Sequence, residues 1–328
     1  MNTVMVLGAS GRLGTAAVEA FAAAGWQVLA QSRKAPRRTL PPGVRAVQAN
    51  ALDLPALQSA APKLDLIVNA LNPDYTQWDT LLPPLTAAVI ALAEATGATV
   101  MLPGNVYNFG NQLPAVLTEQ TPFAGTHPKA RLRIQLEASL AEAARRGVRS
   151  IVVRAGDFLG DEGTWIDLGM ARNFKGTSLA QMGPADIDHA WAYLPDLAQV
   201  FVRVAEARDR LPPHAVLHYA GLTLTGEQLH RGFEAAIGHP LQRAAFPWWL
   251  MRLAAPFAAM PRALIEMRYL WQRPHRLDET ALRQLIGEVP RTSADAVLRN
   301  CLQILTSGAS GAGAGKATGN AAGTPVRT

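Results

Sequence analysis

A single cysteine, Cys301, is all the chain contains. Disulfides within the chain are thereby excluded, and so is a zinc site built on thiolates. Histidine is also sparse: the seven are scattered without metal-ligand spacing and without HExxH, so no metal site is expected. No G-x-S-x-G elbow occurs, which leaves acyl-transfer chemistry without its usual nucleophile. Charged residues make up only 17% against 49% hydrophobic, the balance of a packed globular chain rather than a disordered one. The most membrane-like stretch, Phe246 to Met260, is interrupted by Arg252 and Pro256 and is too short to span, so no membrane span is expected. Met1–Leu7 carries no basic n-region, so no signal peptide is expected and a cytoplasmic location is the default.

What the chain does have is alternation. Thr3–Leu7, Gln27–Ala30, Val44–Gln48, Leu64–Val68, Thr99–Leu102 and Ser150–Val153 read as short buried strands. Leu13–Ala24, Pro55–Ala60, Gln77–Thr96 and Ala130–Arg146 carry helical spacing between them. Gly25, Gly97 and Gly147 each close a helical pattern just before a strand. Repeated strand–helix–strand order predicts an α/β fold: a Rossmann-type doubly wound parallel sheet, covered on both faces, with right-handed crossovers. Past Arg154 the pattern loosens, with a helix expected over Pro195–Arg208, a strand over Ala215–Tyr219 and mostly helix from Thr225 to Leu305. Residues 1–155 are therefore expected to form a nucleotide-binding core. Residues 156–305 complete the fold, partly interleaved with the core, and add a smaller, mostly helical substrate lobe over the carboxyl ends of the strands. Residues 306–328, rich in Gly, Ala and Ser, are expected to be a disordered tail.

Gly8-Ala9-Ser10-Gly11-Arg12-Leu13-Gly14 follows the first strand and opens the first helix. Gly8 suits the tight turn, Gly11 lets backbone approach a pyrophosphate, and Gly14 lets the helix pack closely on the strand. The helix N-terminus offers free N–H groups and a positive dipole end to phosphate. A glycine-rich turn alone is weak evidence; the strand before it and the helix after it make this one informative. An ordinary βα turn is the competing reading.

The end of the second strand carries no carboxylate to take a ribose 2′-hydroxyl. It reads Gln31-Ser32-Arg33-Lys34, and Arg37, Arg38 and Arg45 follow within a chain of formal charge +6. Ser32, Arg33 and Lys34 suit a 2′-phosphate, Arg33 as a bidentate donor and Lys34 as a point charge, and Arg12 can join them from the glycine loop. This favours NADP, with NAD as the other option. The cluster is local, so it points to a phosphate ligand and not to nucleic acid. A solvated basic loop is the competing reading.

The glycine loop, Asn50 after the third strand, Asn69-Ala70-Leu71 after the fourth and Gly104-Asn105-Val106-Tyr107 after the fifth together resemble the short-chain dehydrogenase/reductase superfamily. The closer likeness is to its extended or atypical branch of NAD(P)-dependent epimerase/dehydratase-like proteins. It continues through Arg154-Ala155-Gly156-Asp157-Phe158 and His189-Ala190-Trp191-Ala192-Tyr193, to about Leu305. By that resemblance Asn50 and Ala51 would lie beside the adenine, and Ala70, Leu71 and Asn105 would line the nicotinamide half. The superfamily's catalytic serine, tyrosine and lysine do not carry over by position: Pro103, Lys129 and Arg133 stand in their places.

Instead, Lys129-Ala130-Arg131-Leu132-Arg133-Ile134-Gln135-Leu136-Glu137 resembles the K-x-x-I-R-x-x-I-E helix of isoflavone-reductase-like and NmrA-like atypical members. In those reductases the lysine is the catalytic group beside the nicotinamide. Lys129, Arg133 and Glu137 stand at i, i+4 and i+8 and share one helix face. A lysine desolvated near Arg133 could act as a general acid or base at neutral pH. The plain alternative is a solvated charged face with an Arg133–Glu137 pair.

Tyr107, at the ligand edge of the sheet, is expected either to hydrogen-bond substrate or to wall the pocket. His127 could carry a proton, but a helix-entry histidine is more often structural. Asp157 reads as a substrate contact or, more commonly, a cap of the following segment, His189 and Trp191 as architecture, and Phe246-Pro247-Trp248-Trp249 through Trp271 as core, substrate pocket or dimer face. The reading that follows is an NAD(P)-dependent oxidoreductase of the atypical type, acting on a small-molecule substrate, with Lys129 and Tyr107 as its catalytic groups. A nucleotide-sugar epimerase or dehydratase and a non-catalytic NADP(H)-binding redox sensor, in which Lys129 would only bind the cofactor at the nicotinamide ribose, are the alternatives, and a homo-oligomer stays open.

Overall fold

The computed structural model describes residues 1–35, 39–172 and 174–314. Its first part alternates as the sequence predicts: β1 (Thr3–Leu7), α1 (Arg12–Ala23), β2 (Gln27–Ser32), β3 (Arg45–Gln48), α2 (Leu54–Ala60), β4 (Leu66–Asn69), α3 (Trp78–Thr96), β5 (Thr99–Gly104), the short β6 (Val116–Leu117), α4 (Pro128–Ala144) and β7 (Ser150–Arg154). The second part runs β8 (Asp157–Leu159), β9 (Ser178–Gln181), β10 (Asp188–Tyr193), α5 (Leu194–Glu206), β11 (His214–His218), β12 (Leu222–Thr225) and α6 (Gly226–Ile237). It ends with β13 (Gln242–Ala245), α7 (Trp248–Ala254), α8 (Ala259–Glu266), β14 (Arg276–Leu277), α9 (Thr280–Ile286) and α10 (Ala294–Ala314).

Seven strands form one sheet in the order β11-β7-β5-β4-β1-β2-β3, every pair of neighbours parallel. Order reverses between β1 and β4, and this is the switch point where open parallel sheets bind ligands at their carboxyl ends. Both faces are buried, which is why the strands read as near-continuous apolar runs. Side chains alternate across β1: Met5 and Leu7 join a core with Val89, Leu92, Leu136 and Leu140 of α3 and α4. Val4 and Val6 face the other way, onto Val18 and Phe21 of α1 and Val200 and Phe201 of α5.

A third core, built on Leu159, Trp191, Leu229, Phe233 and Trp271, belongs to the smaller lobe. There β12, β10 and β8 make a three-stranded sheet, and β13 pairs with β9. The lobe and the core are interleaved in sequence, since β11 returns to the main sheet after β8 to β10 have left it. The expected disordered tail starts too early: α10 continues as helix through Ala314, because its earlier turns are docked by Val297, Leu298 and Cys301 and propagation from a fixed helix adds one bond per residue. Residues 315–328, like Arg37 and Arg38 of the basic segment, lie outside the described residues.

Candidate functional site

The glycine loop is pinned from below. Gln31, at the end of β2, accepts from the Gly8 N–H at 3.0 Å and donates to the Ala49 carbonyl at 2.7 Å. Gly8 has φ +78°, a value that disfavours any residue with a Cβ, and a Cβ there would stand 2.9 Å from the Ala70 carbonyl oxygen. At Gly14 a Cβ would overlap the Gly8 carbonyl, so the helix rests directly on the turn. Gly11 is the N-cap of α1 and no side chain caps it, so the helix end is open to an outside acceptor. Ser10 is half-buried in the turn, Leu13 is buried under it, and Ala70 and Leu71 lie against Gly8. These features fit a bound pyrophosphate: open N–H groups, a loop without side-chain bulk and a rigid floor.

Around that loop the other expected cofactor residues gather. Ser32 is buried and its hydroxyl donates to the Lys34 carbonyl, which folds the Arg33–Lys34 turn back onto the end of β2, while Arg33 and Lys34 stay exposed. Asn50, exposed, follows β3 and its Oδ1 accepts from the Leu52 N–H at 3.1 Å; Ala51 is buried beside it. The third-strand exit lies next to the second, because Ala49 donates to the Ser32 carbonyl. Arg12 goes elsewhere than the basic turn: its guanidinium donates to the Gly163 carbonyl at 2.6 Å and ties the glycine loop to the smaller lobe. Asn105 Oδ1 accepts from the Tyr107 N–H at 3.0 Å and so fixes the turn after β5.

A polar cluster adjoins the glycine loop on the carboxyl side of β4 and β5. Tyr107 and Tyr75 share a hydrogen bond between their hydroxyls at 2.8 Å. Burial raises both phenols, Tyr107 well above its ordinary value, and the Asp157 charge adds to that; Arg12 and Arg133 oppose it at Tyr75. Both tyrosines are therefore hydroxyl donors and acceptors at neutral pH, not phenolates. Lys129 Nζ stands 5.6 Å from the centre of the Tyr75 ring.

The solvated face with its own Arg133–Glu137 pair is not what forms. Lys129, Arg133 and Glu137 are all buried, not solvated, and no pair joins Arg133 to Glu137. Arg133 donates to the Pro103 carbonyl at 2.5 Å, and burial lowers its pKa. Glu137 instead pairs with Arg154 of β7 at 2.6 Å. Lys129 pairs with Glu266 at the end of α8: its backbone N–H donates to Oε1 at 2.9 Å and its ammonium to Oε2 at 3.3 Å. His127 also meets Glu266 Oε1, through Nδ1 at 2.8 Å, and its Nε2 lies 3.2 Å from the Tyr269 hydroxyl. Burial alone would raise the Glu266 carboxyl, but the bonds from His127 and Lys129 and the lysine's charge outweigh it and hold it down to about 2.

Asp157 does not cap a helix. It accepts from His189 Nε2 at 2.9 Å, and that imidazole stacks on Trp271 with ring centres 4.1 Å apart. Trp191 is buried in the same aromatic group, so both His189 and Trp191 sit where an architectural role puts them. Residues 246–271 divide: Trp248 and Trp271 are core, whereas Trp249 and Phe257 are exposed.

Sequence reading missed Tyr75, Glu266 and Tyr269. Tyr75 follows β4 just as Tyr107 follows β5, so strand-exit position could have found it. Glu266 lies 137 residues from Lys129 and carried no local signal. Among the described residues no group of three or more His, Cys, Asp or Glu could hold a metal ion, and no helix is long and apolar enough to cross a membrane.

Comparison with known proteins agrees with this architecture. A family model described as NAD(P)H-binding matches residues 8–180. No curated protein matches the sequence. Among solved structures, the chain is similar to a UDP-glucose-4-epimerase from Stenotrophomonas maltophila with bound NAD and formylated UDP-arabinopyranose, at 13% identity and TM-score 0.73, covering 95% of this chain and 99% of that one. It is also similar to a dTDP-glucose 4,6-dehydratase from Bacillus anthracis str. Ames in complex with NAD, at 13% identity and TM-score 0.72, covering 94% and 97%. A UDP-Glc/GlcNAc 4-epimerase from Campylobacter jejuni aligns at 11% identity and TM-score 0.72, covering 94% of this chain and 100% of that one. At such identities the likeness concerns the fold.

Proposed function

The chain belongs to the NAD(P)H-binding family, and from that premise we propose that it binds NADP(H) and transfers a hydride to or from a small organic substrate. The N–H groups at Arg12 and Leu13 hold the pyrophosphate, with Ser10 and Gly11 at the turn and Gly8 and Gly14 keeping the loop tight. Ser32, Arg33 and Lys34 take the 2′-phosphate, Asn50 and Ala51 flank the adenine, and Ala70, Leu71 and Asn105 border the nicotinamide half. The cofactor, when bound, supplies or accepts the hydride.

The chain's own contribution to the chemistry is a positioned proton. Lys129 Nζ gives its proton to the substrate oxygen as the carbonyl is reduced, or takes it back in the reverse direction. Glu266 Oε2 aims that ammonium, and the Tyr107 and Tyr75 hydroxyls orient the oxygen that receives the proton. The observation that carries this reading is the pair of buried Lys129 with half-buried Glu266, standing against Tyr75 and within the same cluster as Tyr107. Glu266, held ionised, gives the Lys129 side chain a fixed anionic partner.

The test has two stages. Titration with NADPH, NADP, NADH and NAD measures the cofactor preference; tighter binding of the phosphorylated pair is expected. Carbonyl and alkene panels are then assayed for NADPH consumption, with Lys129→Ala as the control. If that variant turns over an identified substrate at the parental rate, the lysine is not the proton donor. If cofactor stays bound and emerges unchanged while substrate is isomerised, the cycle is of the epimerase type.

A further inference from the structure

Five of the large apolar side chains most exposed to solvent come from one short segment, α7, the turn after it and the start of α8. Trp249, Leu253 and Phe257 are 65%, 63% and 90% exposed, and Leu250 and Met260 are exposed beside them. Soluble chains rarely leave such side chains together on the surface unless something covers them. Trp249 and Leu253 stand at i and i+4 on α7, so they share a face, and Phe257 continues it in the turn. The segment is anchored from behind: the neighbouring Trp248 is buried, its indole N–H donates to the Met182 carbonyl at 2.7 Å, and the Arg268 guanidinium covers its ring. The exposed face is therefore held in place by the lobe and is not a loose end.

Charge identifies the partner. Residues 235–265 contain no Asp or Glu, and their cations are Arg243, Arg252 and Arg262. Arg243 is paired with Glu227, but Arg252 and Arg262 are exposed and neither has an ion-pair partner among the described residues. A second copy meeting the same face would bring these arginines against their own equivalents with no acid to offset them, which disfavours a symmetric dimer. An indole and a phenyl ring beside unpaired guanidinium groups, on short helices that do not span, is the chemistry of an interfacial anchor on an anionic bilayer. On such a surface the indole would sit at headgroup depth, Phe257 and Leu253 would enter the acyl boundary, and the arginines would meet lipid phosphates.

We propose that α7 and the first turn of α8 dock this protein on the surface of a membrane bearing anionic lipid. The inference is independent of the catalytic reading above. It places the candidate site close to that surface, because α8 ends in Glu266, the partner of Lys129.

The experiment is sedimentation of the full chain with phosphatidylcholine vesicles, with and without phosphatidylglycerol, read alongside quenching of tryptophan emission by brominated acyl chains. Binding is expected only with phosphatidylglycerol, falling as salt is raised. A Trp249→Ser, Leu253→Ser, Phe257→Ser variant should bind about tenfold less or weaker still, with unchanged NADPH affinity as proof of fold. Arg252→Glu with Arg262→Glu offers an independent variant and should abolish the dependence on anionic lipid. Absence of sedimentation with either vesicle overturns the proposal. So does equal binding by the arginine variant, or a concentration-dependent dimer that the serine variant abolishes while vesicles stay unbound. Association only with an acidic protein, and never with lipid, would likewise overturn it.

Discussion

Glu266 grips Lys129 at two points, taking the backbone N–H on one carboxylate oxygen at 2.9 Å and the ammonium on the other at 3.3 Å. The first bond fixes where α4 begins and the second fixes where its lysine points. Replacing Lys129 by Ala is expected to lower kcat by about 10²-fold or more, the ordinary worth of a placed proton donor, while leaving cofactor affinity nearly intact. Glu266→Gln keeps both acceptor positions only in part and removes the charge, so a smaller loss, roughly tenfold in kcat, is expected. Steady-state kinetics on an identified substrate checks both. An equal loss in the two variants would mean the carboxylate does more than position the amine.

Gly14 and Gly8 make a contact that tolerates no methyl group. A Cβ at Gly14 would overlap the Gly8 carbonyl, and the obstacle is backbone, which cannot swing aside. Gly14→Ala should cost about 1–3 kcal/mol of stability, the range for overpacking, and weaken cofactor binding more than any other single change in the loop. Gly25→Ala is the contrast: φ is +78° there, as at Gly8 and unlike the helical Gly14, but nothing stands within 4 Å of the new Cβ. Denaturant unfolding and NADPH titration together separate the two effects. Normal cofactor affinity in Gly14→Ala would remove the loop from the binding site.

The glycine loop was legible because every requirement on it is local. A turn, a close approach and a helix start all fall within Gly8–Gly14, and the strand and helix around it are set by short-range periodicity. The shared face of Lys129, Arg133 and Glu137 was legible for the same reason, since helical spacing alone fixes it. Their partners were not. An i, i+4 pair between Arg133 and Glu137 is the natural expectation, yet Glu137 faces Arg154 across the β7 packing and Lys129 waits for Glu266 on α8. Which of several nearby cations a buried carboxylate takes depends on how layers stack, and no spacing rule encodes that.

Arg33 and Lys34 stay exposed around the buried Ser32 hydroxyl, free to meet a phosphate. Arg33→Ala with Lys34→Ala should lower NADPH affinity by about 10- to 100-fold, the worth of one or two lost charge-assisted bonds, and leave NADH affinity within about twofold. Isothermal titration with both cofactors decides this. Equal losses for the two would show that these side chains do not read the 2′-phosphate.

His218 and His275 make the fold sensitive to acid. Burial and then the Arg154 charge push His218 down to about 4; burial and then His189 push His275 down to about 3. In the unfolded chain both titrate near 6.5. Between 6.5 and those lowered values the unfolded state binds protons that the native state refuses, so stability falls as pH falls through this window and levels off below it. His218 donates from Nδ1 to the Leu117 carbonyl at 3.1 Å and accepts from Arg154 at 3.3 Å, contacts an amide can imitate. His218→Gln is therefore expected to flatten the decline in Tm from pH 6.5 to 4. A slope identical to the parent's would clear His218 of the effect.

Glu137 and Arg154 form a buried pair at 2.6 Å, with Asn108 donating to the same carboxylate at 2.8 Å and the guanidinium packed over Phe109 and Phe123. Gly104 makes room for it, because a Cβ there would strike the Arg154 side chain. Taking both charges out of water costs several kcal/mol, so the pair's net contribution is small, but either member alone would be a stranded ion. Glu137→Leu should destabilise by about 3–5 kcal/mol, and Arg154→Met by a comparable amount. Combining them should recover most of that loss, since two apolar side chains of similar bulk replace a desolvated pair. Recovery stops short of complete because Asn108 and His218 each lose a partner in the double variant. Denaturant unfolding of the four proteins gives the cycle. If the double variant were as unstable as the sum of its parents, the two side chains would be acting independently, each through its own packing and not through their mutual charge.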